Sequence, residues 1–201
     1  PSDQTAWVKE NLPDAFRNSA YIGTYYYALN LEHPAFKDKP KLRRALSLAI
    51  EREILTEKIT QSGETPAYGW VPAVEGYTQQ TMEEKSLDKA ARVALAKQLY
   101  AESGYTVDKP LELEILYNTS DNHKKLAVAV AAMWKQTLGV TTQLRNEEWK
   151  VYLSSRSQKQ FQVIRSGWIG DYNDAYSFLG LFKSDVGEMN PSNYKNPEFD
   201  R

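Results

Sequence analysis

The chain has 201 residues, 41% of them hydrophobic and 25% charged, with a formal net charge of -1. That length supports a sizeable buried core in one large domain or two small ones. The near-balance of 25 basic and 26 acidic residues removes the electrostatic footprint of a nucleic-acid binder. No apolar run approaches the roughly 20 residues that cross a bilayer. The absence of cysteine excludes disulfides, thiolate metal sites and cysteine nucleophiles. The chain opens at PSDQTAW, without an initiator Met or a leader-like run, which points to a processed or excised chain. Its 5 Trp and 13 Tyr against only 6 Phe favour aromatics with a polar tip, which suit half-wet recognition surfaces.

In chain order, YIGTYYYALN (21–30) reads as a strand. Lys41–Ile59 reads as one amphipathic helix, with Leu42, Ala45, Leu46, Ala49, Ile50, Ile54 and Leu55 on one face and Asp38 and Pro40 as entry signals. Residues 60–85 form a long loop whose Tyr68, Trp70 and Tyr77 need a surface to lie on. Ser86 is placed to cap the next helix, which Gly104 stops. LELEILY (111–117) alternates as a strand. Ser120 or Asp121 opens a helix through Leu138, closed by Gly139. VTTQLRN (140–146) is strand-like, Glu147–Ser155 is a short helix, and FQVIRSGW (161–168) is the next strand. YKNPEFDR at the end reads as the beginning of a further helix, so the C-terminus looks cut. Strands alternating with helices predict an α/β domain with helices packed against a sheet.

Little in the sequence suggests catalysis. His33 and His123 are far apart and in no HxxxH or HExxH spacing, so neither predicts a metal site. There is no GxSxG elbow and no Gly-rich phosphate loop. Asp171 and Asp174 could form an acid pair, and a hydrolase using them is the alternative function. Asp174, however, precedes the apolar run AYSFLGLF and reads better as a helix cap. Asp171 follows a strand and Gly170, at a sheet end where α/β proteins place ligands. Trp168 and Arg165 precede it in the strand, and Trp149 and Arg156 share a face of the preceding helix. Together they would give a pocket of aromatic walls, one carboxylate and two guanidinium groups, suited to a zwitterion. On these residues alone Asp171 stands open between a ligand clamp and an ordinary surface turn.

A series of stretches carries a family resemblance: YIGTYYYALN, PAFKDKPKLRRALSLAIERE, GETPAYGWVP, AESGYTVDKPLELEILYNTSDNHKKLAVAVAAMWKQTLGV, NEEWKVYLSSR, FQVIRSGWIGDYNDAYSFL and YKNPEFD. In order and across almost the whole chain, they resemble the oligopeptide-binding proteins of bacterial ABC importers, murein-peptide-binding relatives included. The resemblance implies one lobe of a two-lobed periplasmic-binding-protein fold, an α/β lobe with a mixed sheet and flanking helices. Residues 1–201 would be most of the second, C-terminal, peptide-binding lobe, truncated at both ends. It implies a monomeric, non-enzymatic receptor in the periplasm or cell envelope, without cofactor, metal, nucleic acid or membrane insertion. That receptor would hand oligopeptides to a membrane permease. In the family the aspartate of GDYN binds the peptide's α-ammonium, here Asp171. Gly167, Trp168 and Ile169 would offer backbone groups and an aromatic wall by strand addition. Trp149, Arg156 and Arg165 fall on pocket-lining positions, with His123, Asn118 and Tyr21 as further candidates. The sequence departs from the family where Asp174-Ala175 replaces an acid followed by proline, and at Ala28, which is acidic in some relatives.

Overall fold

The computed structural model describes residues 4–19 and 21–201; the opening residues of PSDQTAW lie outside the described residues. Its centre is a four-stranded sheet of order β1-β4-β2-β3, with β1 at Gly23–Leu29, β2 at Glu112–Asn118, β3 at Thr141–Glu147 and β4 at Val163–Ile169. β2 runs parallel to both β3 and β4, and β1 pairs antiparallel to β4. The sheet is mixed, as expected.

Seven α-helices surround it among the described residues: α1 Thr5–Asn11, α2 Pro40–Leu48, α3 Arg52–Ile54, α4 Lys89–Glu102, α5 Asp121–Leu138, α6 Trp149–Ser157 and α7 Tyr176–Leu179. β2–α5–β3 steps outward in the sheet, and β3–α6–β4 steps back across β2. Right-handed crossovers in opposite directions put their helices on opposite faces. The packing agrees. Leu113, Ile115, Tyr117 and Val163 pack with Ala127, Val130, Trp134 and Leu138 of α5 and with α2 and α4. Leu116 and Ile164, one residue along and therefore facing the other way, pack with Tyr152 of α6, Ala28 and Phe161.

The caps explain several boundaries. Ser120 Oγ accepts from the His123 N–H, and Gly139, at φ 77, closes α5 in the left-handed conformation. Gly104 follows α4 at φ 86, as its stop position requires. The capping residue of α4 is Asp88, whose carboxylate accepts from Ala91 N–H at 2.8 Å. Ser86 instead ends a short 3₁₀ turn, Glu83–Ser86. Near the C-terminus, Asn196 Oδ1 accepts from the N–H groups of Glu198 and Phe199, a helix-start arrangement.

The single helix expected over Lys41–Ile59 is broken. α2 ends at Leu48, α3 starts at Arg52, and the chain continues as a π-helix over Leu55–Thr60. Asp38 does not cap α2; it sits at φ 56, and Pro40 takes the first helical position. The break is held by side chains that take carbonyls at the end of α2 and just beyond it. Trp134 Nε1 donates to Leu46 O at 2.9 Å, and Arg52 Nη1 donates to the carbonyls of Ser47 and Ile50. These are the groups a helix end leaves without partners.

Residues 61–82 hold no helix or strand, and their aromatics do find a surface. Tyr68 is buried, donating to Glu53 Oε1 at 2.6 Å and accepting from Arg92 Nη1 at 2.9 Å. Just beyond, the buried Glu84 accepts from Arg44 Nε at 2.5 Å. Burial alone would raise the Glu84 pKa. Hydrogen bonds from backbone and Arg44, with the charges of Arg44 and Arg52, outweigh it and hold the carboxyl below its ordinary value. A carboxyl whose folded pKa is depressed stabilises the fold above its unfolded pKa and loses that contribution as pH falls through the folded value. Glu84→Gln should therefore lose less stability than the wild type as pH falls below the ordinary carboxylate range. Urea denaturation at each pH measures this, and parallel losses would overturn the assignment. Among the described residues no helix is long and apolar enough to cross a membrane.

Candidate functional site

The C-terminal half of β4 has β1 on one side and, among the described residues, no strand on the other. β2 pairs with β4 only at Ile115↔Val163 and Leu116↔Ile164, whereas β1 stays in register to Gly23↔Ile169. Asn30 N–H donates to Gln162 O and Gly170 N–H to Ile22 O, so the even-numbered residues of this stretch turn their backbone groups toward β1. In an extended strand these directions alternate. The N–H and C=O groups of Arg165, Gly167 and Ile169 therefore face the open side. Tyr152 Oη donates to the Arg165 carbonyl at 2.5 Å, in the place where β2 has left the ladder. Gly167 and Ile169 are exposed, Ile169 by 51%. A strand edge of this kind is a template for another extended chain.

The edge runs into Gly170 and Asp171. A Cβ on Gly170 would lie 2.9 Å from Phe178 Cε2 and 3.1 Å from Ile22 Cδ1, so the turn admits no larger residue without moving. Asp171 is exposed, and among the described residues its carboxylate has no hydrogen-bond or ion-pair partner. Its backbone N–H donates to Ser177 Oγ at 2.8 Å. Asp174 is engaged differently. Its Oδ1 accepts from Tyr176 N–H at 2.7 Å and its carbonyl accepts from Ser177 N–H. It caps the start of α7 as expected, although the residue immediately before the helix is Ala175. The two acids are thus held in different ways.

Trp168 is half-buried. Its indole N–H donates to Ser177 O at 2.7 Å, and its ring joins Val71, Val74, Trp70 and Phe178. Trp70 fixes the long loop here, donating to Phe178 O at 2.8 Å while its own carbonyl accepts from Thr24 Oγ1. The wall beside Asp171 is thus built partly from residues 70–74.

The expected single pocket with two guanidinium groups is not formed. Arg165 and Arg156 lie on opposite faces of the sheet. Arg156, on α6, donates to the carbonyls of Glu188 and Met189 at 3.3 Å. Trp149 stacks on Tyr152 with ring centroids 5.5 Å apart, and it is 50% exposed. Arg165 lies on the α5 face, its guanidinium carbon 4.7 Å from the centre of the Tyr25 ring, and Nη1 donates to Asn118 Oδ1 at 3.3 Å. His123 joins this second cluster, its Nδ1 3.4 Å from Tyr25 Oη. Burial, with the nearby Arg165 charge, lowers the His123 pKa to about 4, so the ring is neutral at ordinary pH. Arg165 Nε is buried without a hydrogen-bond partner among the described residues, and Arg165 has no carboxylate partner there. Tyr21 is 74% exposed and joins neither cluster. Among the described residues no group of three or more His, Asp or Glu could hold a metal.

A family model for bacterial extracellular solute-binding proteins, family 5 middle, matches residues 1–190. The chain belongs to that family. The periplasmic oligopeptide-binding protein OppA of Escherichia coli, strain K12, is 43% identical over 194 residues, covering 96% of this chain and 35% of the relative. The periplasmic murein peptide-binding protein MppA of the same strain is 40% identical over 202 residues. The solved structure of MppA superposes with a TM-score of 0.93 over 100% of this chain and 39% of its own. That of Haemophilus influenzae OppA in complex with RPPGFSPFR superposes with a TM-score of 0.92 at 37% identity. The chain thus spans little more than a third of these family 5 relatives.

Sequence reasoning overlooked Tyr25, Tyr27 and Ser177, and named Trp70 only as a loop aromatic in need of a surface. The first two could have been found from period 2 in YYY, which puts Tyr25 and Tyr27 on the face of Arg165. Ser177 carries no local signal, because its role is a contact with a residue six positions earlier.

Proposed function

We propose that the chain is the greater part of one lobe of a two-lobed oligopeptide receptor of an ABC importer. It would work outside the cytoplasmic membrane and deliver peptide to a membrane permease. The observation that carries this is the open edge of β4, which ends on a carboxylate without a partner among the described residues. An extended peptide laid along Gly167–Ile169 receives main-chain hydrogen bonds that do not read its side chains. Its α-ammonium meets Asp171, a charge-assisted contact. Trp168 lines this end, with Trp149 and Arg156 farther along the α6 side. On the α5 face Arg165, Asn118 and His123 receive a carboxylate, because Arg165 has none among the described residues and the neutral imidazole leaves the guanidinium as the cation of this cluster. Tyr21, exposed before β1, is the weakest placed of these ligand contacts. Relatives named as periplasmic oligopeptide- and murein-peptide-binding proteins support the same reading.

Two lobes enclosing a ligand bury far more of it than one open surface. The full-length protein should therefore co-purify with short peptides that mass spectrometry identifies after denaturation. The 201-residue chain should fold yet retain none. Ligands without peptide bonds on the full-length protein would overturn the substrate class, and tight peptide binding by the chain alone would overturn the two-lobe reading.

A further inference from the structure

We infer that Ser177 is the positioning residue of the ammonium clamp: its hydroxyl sets the backbone of Asp171 and, through it, the aim of the carboxylate. This rests on the proposed role of Asp171. Asp171, Tyr172, Asn173 and Asp174 are all exposed, so the turn has almost no packing of its own to hold it. Ser177 is buried, 7% exposed, beside the fully buried Phe178. From there it makes three bonds back to the turn and to the strand before it. Oγ accepts from Asp171 N–H at 2.8 Å, the carbonyl accepts from Trp168 Nε1 at 2.7 Å, and the N–H donates to Asp174 O at 3.1 Å. Only the first depends on the side chain, and it acts on the residue whose carboxylate is unpartnered.

A carboxylate on a loose turn must be ordered when the ligand arrives, which weakens binding; one fixed beforehand does not carry that cost. A serine in the first turn of a helix usually bonds within its own helix or faces water. Here its oxygen is committed to an N–H outside α7. The remaining bonds of Ser177 are backbone bonds that any residue would make. The hydroxyl is therefore specific to the clamp.

The test uses the full-length protein and one peptide sequence in two forms, with a free and with an acetylated amino terminus, titrated by calorimetry. Ser177→Ala should weaken the free-amine peptide about fivefold to tenfold and the acetylated one by less than about twofold. Ser177→Cys keeps the volume but offers only a weak acceptor, so it should repeat the result and carries the test if the alanine variant does not fold. Ser177→Thr, which restores the oxygen, should recover free-amine binding. Combined with Asp171→Asn, Ser177→Ala should add nothing further. Equal weakening of both peptides, or no weakening, overturns the positioning role while Asp171→Asn still discriminates between them. If Asp171→Asn itself fails to discriminate, the clamp reading falls, and this inference with it.

Discussion

In the full-length protein, Asp171→Asn is expected to weaken a peptide with a free amino terminus by about 2–5 kcal/mol, while an N-acetylated peptide changes little. That loss is a factor of about 30 to several thousand in Kd. The size follows from what the substitution leaves behind. Asn keeps the shape and the backbone bond to Ser177, so the turn stays in place. An ammonium enclosed by the protein then faces a neutral amide, and most of the loss is the penalty of an unpaired charge away from water. The structure places no cation of the protein's own on Asp171 among the described residues, so the carboxylate has no competing partner to release. The same contact predicts a pH dependence. A peptide α-amino group loses its proton near pH 8, so wild-type affinity should fall as pH rises through about 8 to 10. The Asn variant should be flat there. Isothermal titration of both peptides at pH 7 and pH 9.5 separates these outcomes, and equal affinities of wild type and variant for the free-amine peptide would remove Asp171 from the site.

Legibility in the sequence followed the range of the interactions. Strands with clean alternation, such as LELEILY, and helices closed by local signals, such as Ser120 and Gly139, could be placed because their determinants lie within a few residues. The broken helix could not. Leu42 through Leu55 keep an apolar face, but the break depends on Trp134, eighty-eight residues later, reaching the Leu46 carbonyl. Asp171 was visible as an acid after a strand and a glycine. What periodicity left hidden was the sheet order, and with it which strand edge stays open. That β4 lies between β1 and β2, and parts from β2 after Ile164, is a tertiary fact. The same fact divided Arg165 from Arg156, which spacing alone had grouped together.

Trp134→Ala is expected to lower the stability of the 201-residue chain by about 3–5 kcal/mol. Trp134 is 1% exposed and sits in the main core with Leu42, Leu46, Ala96 and Val130. Its removal opens a cavity between α5 and the helices packed on it, at a site too tightly framed by helices to collapse fully. It also strips the Leu46 carbonyl of its donor at the point where α2 stops. Trp134→Phe separates the two effects. It keeps most of the volume but leaves the carbonyl unpaired, so its loss should be smaller, about 1–3 kcal/mol. Against a total of about 5–15 kcal/mol for a folded domain, the alanine variant removes a large share of the stability and the phenylalanine variant a lesser one. Urea denaturation followed by circular dichroism gives both values. If alanine and phenylalanine cost the same, the indole's packing contributes little and the lost bond to Leu46 accounts for most of the destabilisation. If alanine costs less than about 1 kcal/mol, Trp134 does not pin α5 to the broken helix at all.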